Sequence, residues 1–282
     1  MQWQWLYVIL KRIMKNLLQF RFDKKIKYLI QTILVVIFIY LFAVGGLRVS
    51  FSLLAVLVVV IVVAGSLLTH FPNIKPINFL ISIIMPLNVI AGALLSLWSY
   101  PNLGYAFKLI FILGFGFIYY LVSLMDNVFL VIQDREEVIP LYRVAIAWSL
   151  ILQVVVAIPI FAGVFKLSYD ALYQALIVGI VSIIFSLYQL WILQFDADAK
   201  DPKVGEGIFL LGSIFFFTTI ASIMTSFIPT ESFLRALFEA SVLMFSLVYL
   251  SGHLKNEISK KLMLQYGVYI IIFTILLLTF TP

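Results

Sequence analysis

Long apolar stretches without a single charge limit what this chain can fold into. Residues 28–47, 76–107, 144–165, 171–195, 207–230 and 262–282 contain no Asp, Glu, Lys or Arg. Each is at least as long as the ~20 residues that carry an α-helix across a ~30 Å hydrocarbon layer. Helix is the required conformation there, because an unpaired backbone amide in lipid costs several kcal/mol and a lone strand leaves every amide unpaired. The sequence therefore predicts an all-α polytopic transmembrane bundle of nine spans. They are expected at about 27–46, 51–69, 78–98, 106–128, 141–163, 171–193, 206–228, 232–252 and 263–281. Gly45-Gly46, Pro72, Pro76, Pro101, Pro140, Pro202, Pro229 and Gly252 fall between or at the ends of these spans, as turn residues should. Pro86 lies inside the third and predicts a kink.

Residues 1–25 are of another kind. Trp3, Leu6, Ile9, Leu10, Ile13, Met14, Leu17 and Leu18 recur at helical spacing, with Gln4, Lys11, Arg12, Lys15 and Gln19 between them. A basic amphipathic helix with tryptophans is suited to the headgroup layer. The expected organisation is this interfacial segment over 1–25, followed by one membrane domain over 26–282.

Nine alternating spans place the termini on opposite sides. Of the nineteen Lys and Arg residues, only Arg48, Lys108, Lys166 and Arg235 fall on one side, and all others fall on the side of the N-terminus. Because basic loops stay cytoplasmic, the expectation is a cell (inner) membrane protein with its N-terminus inside and its C-terminus outside. The formal charge of +6 comes mostly from these flanking residues and does not call for nucleic acid. The chain has no cysteine and only two histidines, which excludes disulfides and thiolate metal sites and leaves little for an imidazole site.

Within hydrocarbon, polar side chains are costly unless they face protein or water, so they mark candidate sites. In the fourth span Gly116, Tyr119, Tyr120, Ser123, Asp126 and Asn127 step by threes and fours along one broad face. The apolar run Val128–Ile132 that follows predicts that the helix continues past them. In the sixth span Gly179, Ser182, Ser186, Gln189 and Asp196 form a parallel stripe. Together they predict a polar cleft of Tyr120, Ser123, Asp126, Asn127, Ser186 and Gln189. Carboxylates in the loops beyond, Asp134, Asp196, Asp198 and Asp201, form a candidate site for a metal or a phosphate. Mg²⁺ suits a few carboxylates together with water and phosphate oxygens. Arg235 and Glu239, four apart in the eighth span, predict an intramembrane ion pair. Thr218, Ser222 and Thr225, and Gly92 with Ser96, read as close helix packing.

The spacing Asp196-x-Asp198-x-x-Asp201 resembles an aspartate-rich motif of the intramembrane aromatic prenyltransferases. That resemblance implies Mg²⁺-dependent transfer from a lipid-linked prenyl diphosphate. The family's other motif is not matched, since Asn127 is followed by Val131 and Arg135 where the family carries aspartates. The segment Met125-Asp-Asn-Val-Phe, with Ile139-Pro-Leu-Tyr-Arg-Val-Ala, is similar to an uncharacterised family of multi-pass bacterial membrane proteins without an assigned activity. The leading functional expectation is a protein that organises lipids or partner proteins in the bilayer, without catalysis or cofactor, with a membrane-protein partner or as a homo-oligomer. The alternatives are the Mg²⁺-dependent transferase and a small-solute transporter with Asp126, Asn127, Gln153 and Glu239 along its path.

Overall fold

The computed structural model describes residues 24–43, 51–70, 76–135 and 141–280. The expected amphipathic N-terminal helix lies outside the described residues, as do the loops bearing Arg48, Lys75, Glu136 and Glu137. Among the described residues there are nine helices and no strand: α1 (Lys24–Ala43), α2 (Phe51–His70), α3 (Pro76–Ser99), α4 (Tyr105–Arg135), α5 (Leu141–Val164), α6 (Ala171–Leu193), α7 (Val204–Ser226), α8 (Ser232–Lys255) and α9 (Lys260–Thr279). Each of the nine predicted spans coincides with a helix among the described residues, and α4 runs through Asp126-Asn127 to Arg135, beyond its predicted end.

Eight of these helices have the length and hydropathy of a membrane crossing; in α2 the apolar run is Val56–Leu67. Large apolar side chains such as Leu34, Val56, Ile110, Phe117, Phe217 and Ile271 are more than half exposed. Water would not tolerate so much apolar surface, whereas lipid tails solvate it at no cost. The chain is an integral membrane protein whose outer surface is in contact with the bilayer.

The centre of the bundle is α3, α5 and α6. Helix α5 packs on α3 and α8, α6 on α7, and α1 on α4, while α9 lies against α8 and buries little beyond Leu277. Because apolar burial does not draw helices together in lipid, close approach and interhelical hydrogen bonds must do so. The contact between α3 and α5 shows both. A Cβ built on Gly163 would lie 2.7 Å from the Cβ of Leu95, and one on Gly92 would lie 3.2 Å from Pro159. Beside them the Ser96 hydroxyl donates to the Pro159 carbonyl at 3.3 Å. Gly92 and Ser96, read from the sequence as packing positions, are used that way, with Gly163 added.

Two prolines lie within helices, Pro86 in α3 and Pro159 in α5. The sequence pointed to the first alone. Neither interrupts its helix, but each lacks the N–H that would bond the carbonyl four residues back. Pro86 thereby cannot bond the carbonyl of Ser82, and both residues line the pocket around Asp126. Helix α8 ends where Asn256 turns into the left-handed region at φ 53°. Asparagine tolerates that conformation better than most residues, and it closes the helix.

Candidate functional site

Helices α4 and α6 run parallel, so polar residues in their second halves reach the same depth. Asp126 of α4 is 2% exposed. The Tyr188 hydroxyl donates to its Oδ1 at 2.5 Å, while Oδ2 has no hydrogen-bond partner among the described residues. Asp126 lies six residues before the end of the apolar span at Ile132, about 9 Å along the helix at 1.5 Å per residue, so it falls within the membrane-spanning part of α4.

Asp126 lines a small pocket together with Tyr28 and Gln31 of α1, Ser66 of α2, Ser82 and Pro86 of α3, and Tyr119 and Ser123 of its own helix. The free space at its centre is about that of one water molecule. Apart from Val62 and Pro86, every lining side chain carries oxygen. The Ser82 and Ser123 hydroxyls donate backwards to the carbonyls of Phe79 and Tyr119, at 2.9 Å each. Their oxygen lone pairs remain available as acceptors. Gln31 donates through Nε2 to the Tyr119 hydroxyl at 2.9 Å, and Tyr28 donates to Asn127 Oδ1 at 3.2 Å. These two bonds tie α1 to α4 on either side of the carboxyl group.

Towards the shared end of α4 and α6 the pocket is sealed by aromatic rings. Tyr188 lies 5.8 Å from Trp191, which lies 5.9 Å from Phe129 and 5.3 Å from Phe195. The Tyr142 ring of α5 meets Phe129 edge-on at 6.3 Å. Tyr188, Trp191 and Phe129 are almost wholly buried, so Asp126 is closed off from that face.

The predicted cleft is thus partly assembled and partly divided. Ser123, Asp126 and Asn127 lie together. Tyr120 is half-buried and does not line the pocket; its neighbour Tyr119 does. Ser186 and Gln189 belong elsewhere. Gln153 of α5 donates to Gln189 Oε1 at 2.6 Å, Gln189 donates to Ser251 of α8 at 3.0 Å, and Ser186 donates to the Ser182 carbonyl. Consecutive helical residues point about 100° apart, so Tyr188 faces Asp126 while Gln189 faces α5 and α8. The stripe of small and amide residues on α6 was the visible signal, and it concealed the tyrosine beside it. Gln31, a lone amide in an apolar span, was the signal available for α1.

The acidic loop between α6 and α7 acts as a clasp. Lys255 Nζ lies 2.5 Å from Asp196 Oδ2, the Asp198 amide donates to Asp196 Oδ1 at 3.2 Å, and the Lys200 amide donates to the Leu254 carbonyl at 2.9 Å. Glu206 adds a pair with His253 at 2.7 Å. Asp198 and Asp201 point to the outside, and the side chain of Asp134 is outside the described residues. Among the described residues no three acidic or imidazole groups converge as metal ligands. The expected metal loop is therefore corrected at Asp196, whose carboxylate is taken by Lys255.

Arg235 and Glu239 share a helix face but make no ion-pair contact, which corrects the second expectation. The Arg235 guanidinium sits 4.2 Å over the Phe165 ring, and both oxygens of the fully buried Glu239 lack a hydrogen-bond partner. The aromatic face at the end of α5 draws the arginine away from its own helix. Counting from Ser232, Glu239 is about 10 Å along α8, in the half of the bundle opposite to Asp126.

No family model, curated protein or solved structure matches the chain.

Proposed function

We propose that this protein is a membrane carrier for a small monovalent cation, with Asp126 as the ligand that balances its charge. One observation carries the reading: a buried carboxyl oxygen without a protein partner belongs to a pocket lined almost entirely by oxygen-bearing side chains. Hard oxygen donors select hard cations. One carboxylate balances one positive charge, and the free space admits a bare ion or hydronium rather than an organic solute. The Ser82 and Ser123 hydroxyl oxygens, whose protons are spent on backbone carbonyls, are further oxygen donors for the ion. Glu239, a second buried carboxyl group at the other depth, marks where the path would continue, with Gln153 between them.

The reading is tested by melting the purified protein in chloride salts of Li⁺, Na⁺, K⁺ and choline at one ionic strength. A small cation should raise Tm by several degrees, since a hundredfold excess over Kd stabilises by about 2.7 kcal/mol. Asp126→Asn should melt alike in all four salts. A wild type indifferent to the cation would remove the proposal. A second reading, organisation of lipids, is favoured by an apolar groove between α4 and α5 lined by Phe117, Leu121, Met125, Val144 and Trp148.

The same proposal places the protein in the cell membrane with its N-terminus cytoplasmic, on the strength of the lopsided lysine and arginine distribution. A topology reporter fused after Pro282 should be active only outside the cytoplasm, and one fused at Lys203 only inside. The reverse pattern would invert the assignment. Activity of both on one side would mean that the number of crossings between them is even rather than odd.

A further inference from the structure

At the end of the bundle where α1 finishes and α4 begins, a concavity of about 220 Å³ opens between the two helices. Its floor is apolar, with Leu103, Leu109 and Ile112, and its rim carries Tyr40, Tyr105 and Lys108. The Tyr40 and Tyr105 hydroxyls share one hydrogen bond at 2.9 Å. One phenolic proton is spent in that bond, so the pair keeps one donor to offer outward.

Lys108 is the unusual member. The ion pairs among the described residues are those of Asp196 with Lys255 and Glu206 with His253, and neither involves it. Two other cations at this end rest on aromatic faces: Lys166 lies 4.9 Å over Tyr100, and Arg235 lies over Phe165. Lys108 instead lines an open pocket, half-buried, with no such partner among the described residues. Next to it on α4, Phe107, Ile110 and Leu113 are more than half exposed. They present an apolar wall that descends from the pocket into the hydrocarbon.

We infer that this pocket holds the phosphate headgroup of an anionic membrane lipid, with Lys108 as its counter-ion and the Tyr40–Tyr105 pair as hydroxyl donor. An unpaired ammonium, a phenolic donor and an adjoining apolar wall match the three parts of such a lipid: charge, phosphate oxygens and acyl chains. A point charge on a flexible stem suits a phosphate monoanion, and a charge-assisted hydrogen bond is about twice as strong as a neutral one. The site shares no residue with the Asp126 pocket and does not depend on the carrier reading.

The test uses the full chain in detergent micelles doped with phosphatidylglycerol or phosphatidylcholine, read by melting and by native mass spectrometry. Wild type should retain one more tightly held phosphatidylglycerol than Lys108→Gln and melt several degrees higher with phosphatidylglycerol than with phosphatidylcholine. Lys108→Gln should lose most of that difference while melting normally in phosphatidylcholine, and Lys108→Arg should keep it. Lys166→Gln removes the same charge from the same end and should behave as wild type. An equal effect of Lys166→Gln would assign the selectivity to bulk charge and overturn the inference. So would an unchanged preference in Lys108→Gln, or the same stabilisation by inorganic phosphate alone.

Discussion

Gly163→Leu is expected to leave little folded protein, whereas Gly114→Leu should fold almost as well as wild type. Gly163 lies in the last turn of α5 and Gly114 in the first half of α4, both within apolar stretches, and the sequence alone does not say which of them meets a neighbouring helix. A Cβ at Gly163 would lie 2.7 Å from the Leu95 Cβ and 3.4 Å from the Leu95 carbonyl carbon, whereas one at Gly114 would meet nothing within 4 Å. The atoms in the way at Gly163 are main chain and the root of a side chain, which no rotamer change can move. Accommodation requires α3 and α5 to separate, opening the contact that also carries the Ser96–Pro159 hydrogen bond.

Overpacking of a tight core costs about 1–3 kcal/mol and sometimes more. Gly163→Leu belongs at the upper end, because two central helices must move and there is no apolar driving force in lipid to close the gap again. The measurement is the folded fraction on size exclusion in mild detergent, followed by melting of whatever survives. Equal yields for the two variants would show that α3 and α5 do not approach at this point.

The same pair shows how far the sequence could be read. Charge-free runs of sufficient length fix helix number and approximate ends, because the bilayer leaves no other backbone solution. The extension of α4 past Asp126 was legible from the apolar run behind it. Which helix faces which was not, since a span that is apolar all round carries no stripe to orient it. That is why Tyr188 went unseen while Gln189 next to it stood out. In an apolar helix a tyrosine reads as packing, and only the neighbouring helix decides whether its hydroxyl has a carboxyl group to meet. Asp196 failed for a related reason. The motif spacing was visible, but its partner Lys255 lies on α8, far along the chain, and a lysine near a span end already has an explanation in the flanking charge of membrane helices.

Tyr188→Phe is expected to cost about 1–3 kcal/mol, the range for leaving a buried polar group without its hydrogen-bond partner. Interhelical hydrogen bonds in membranes average only about 0.6 kcal/mol, because side chains in the unfolded chain find other partners within the bilayer. That discount does not transfer well here. Among the described residues Asp126 Oδ2 has no hydrogen-bond partner, and Tyr188 supplies the hydrogen bond to the other oxygen, at 2.5 Å. Deleting the phenol oxygen leaves a buried carboxyl group with no donor at all. Asp126→Leu should in turn cost about 1–3 kcal/mol by stranding the Tyr188 hydroxyl among Trp191 and Phe129. The double variant strands neither group, so it should fall short of the sum of the single losses by about 1 kcal/mol or more. Denaturation of the four proteins in a common mixed micelle gives that difference directly. Additive losses would mean that the bond between α4 and α6 contributes nothing, and the pocket would then lack the fixed carboxyl group on which its cation depends. A large coupling energy together with cation-dependent melting in Tyr188→Phe would separate the two roles of Asp126, one oxygen holding the helices and the other binding the ion.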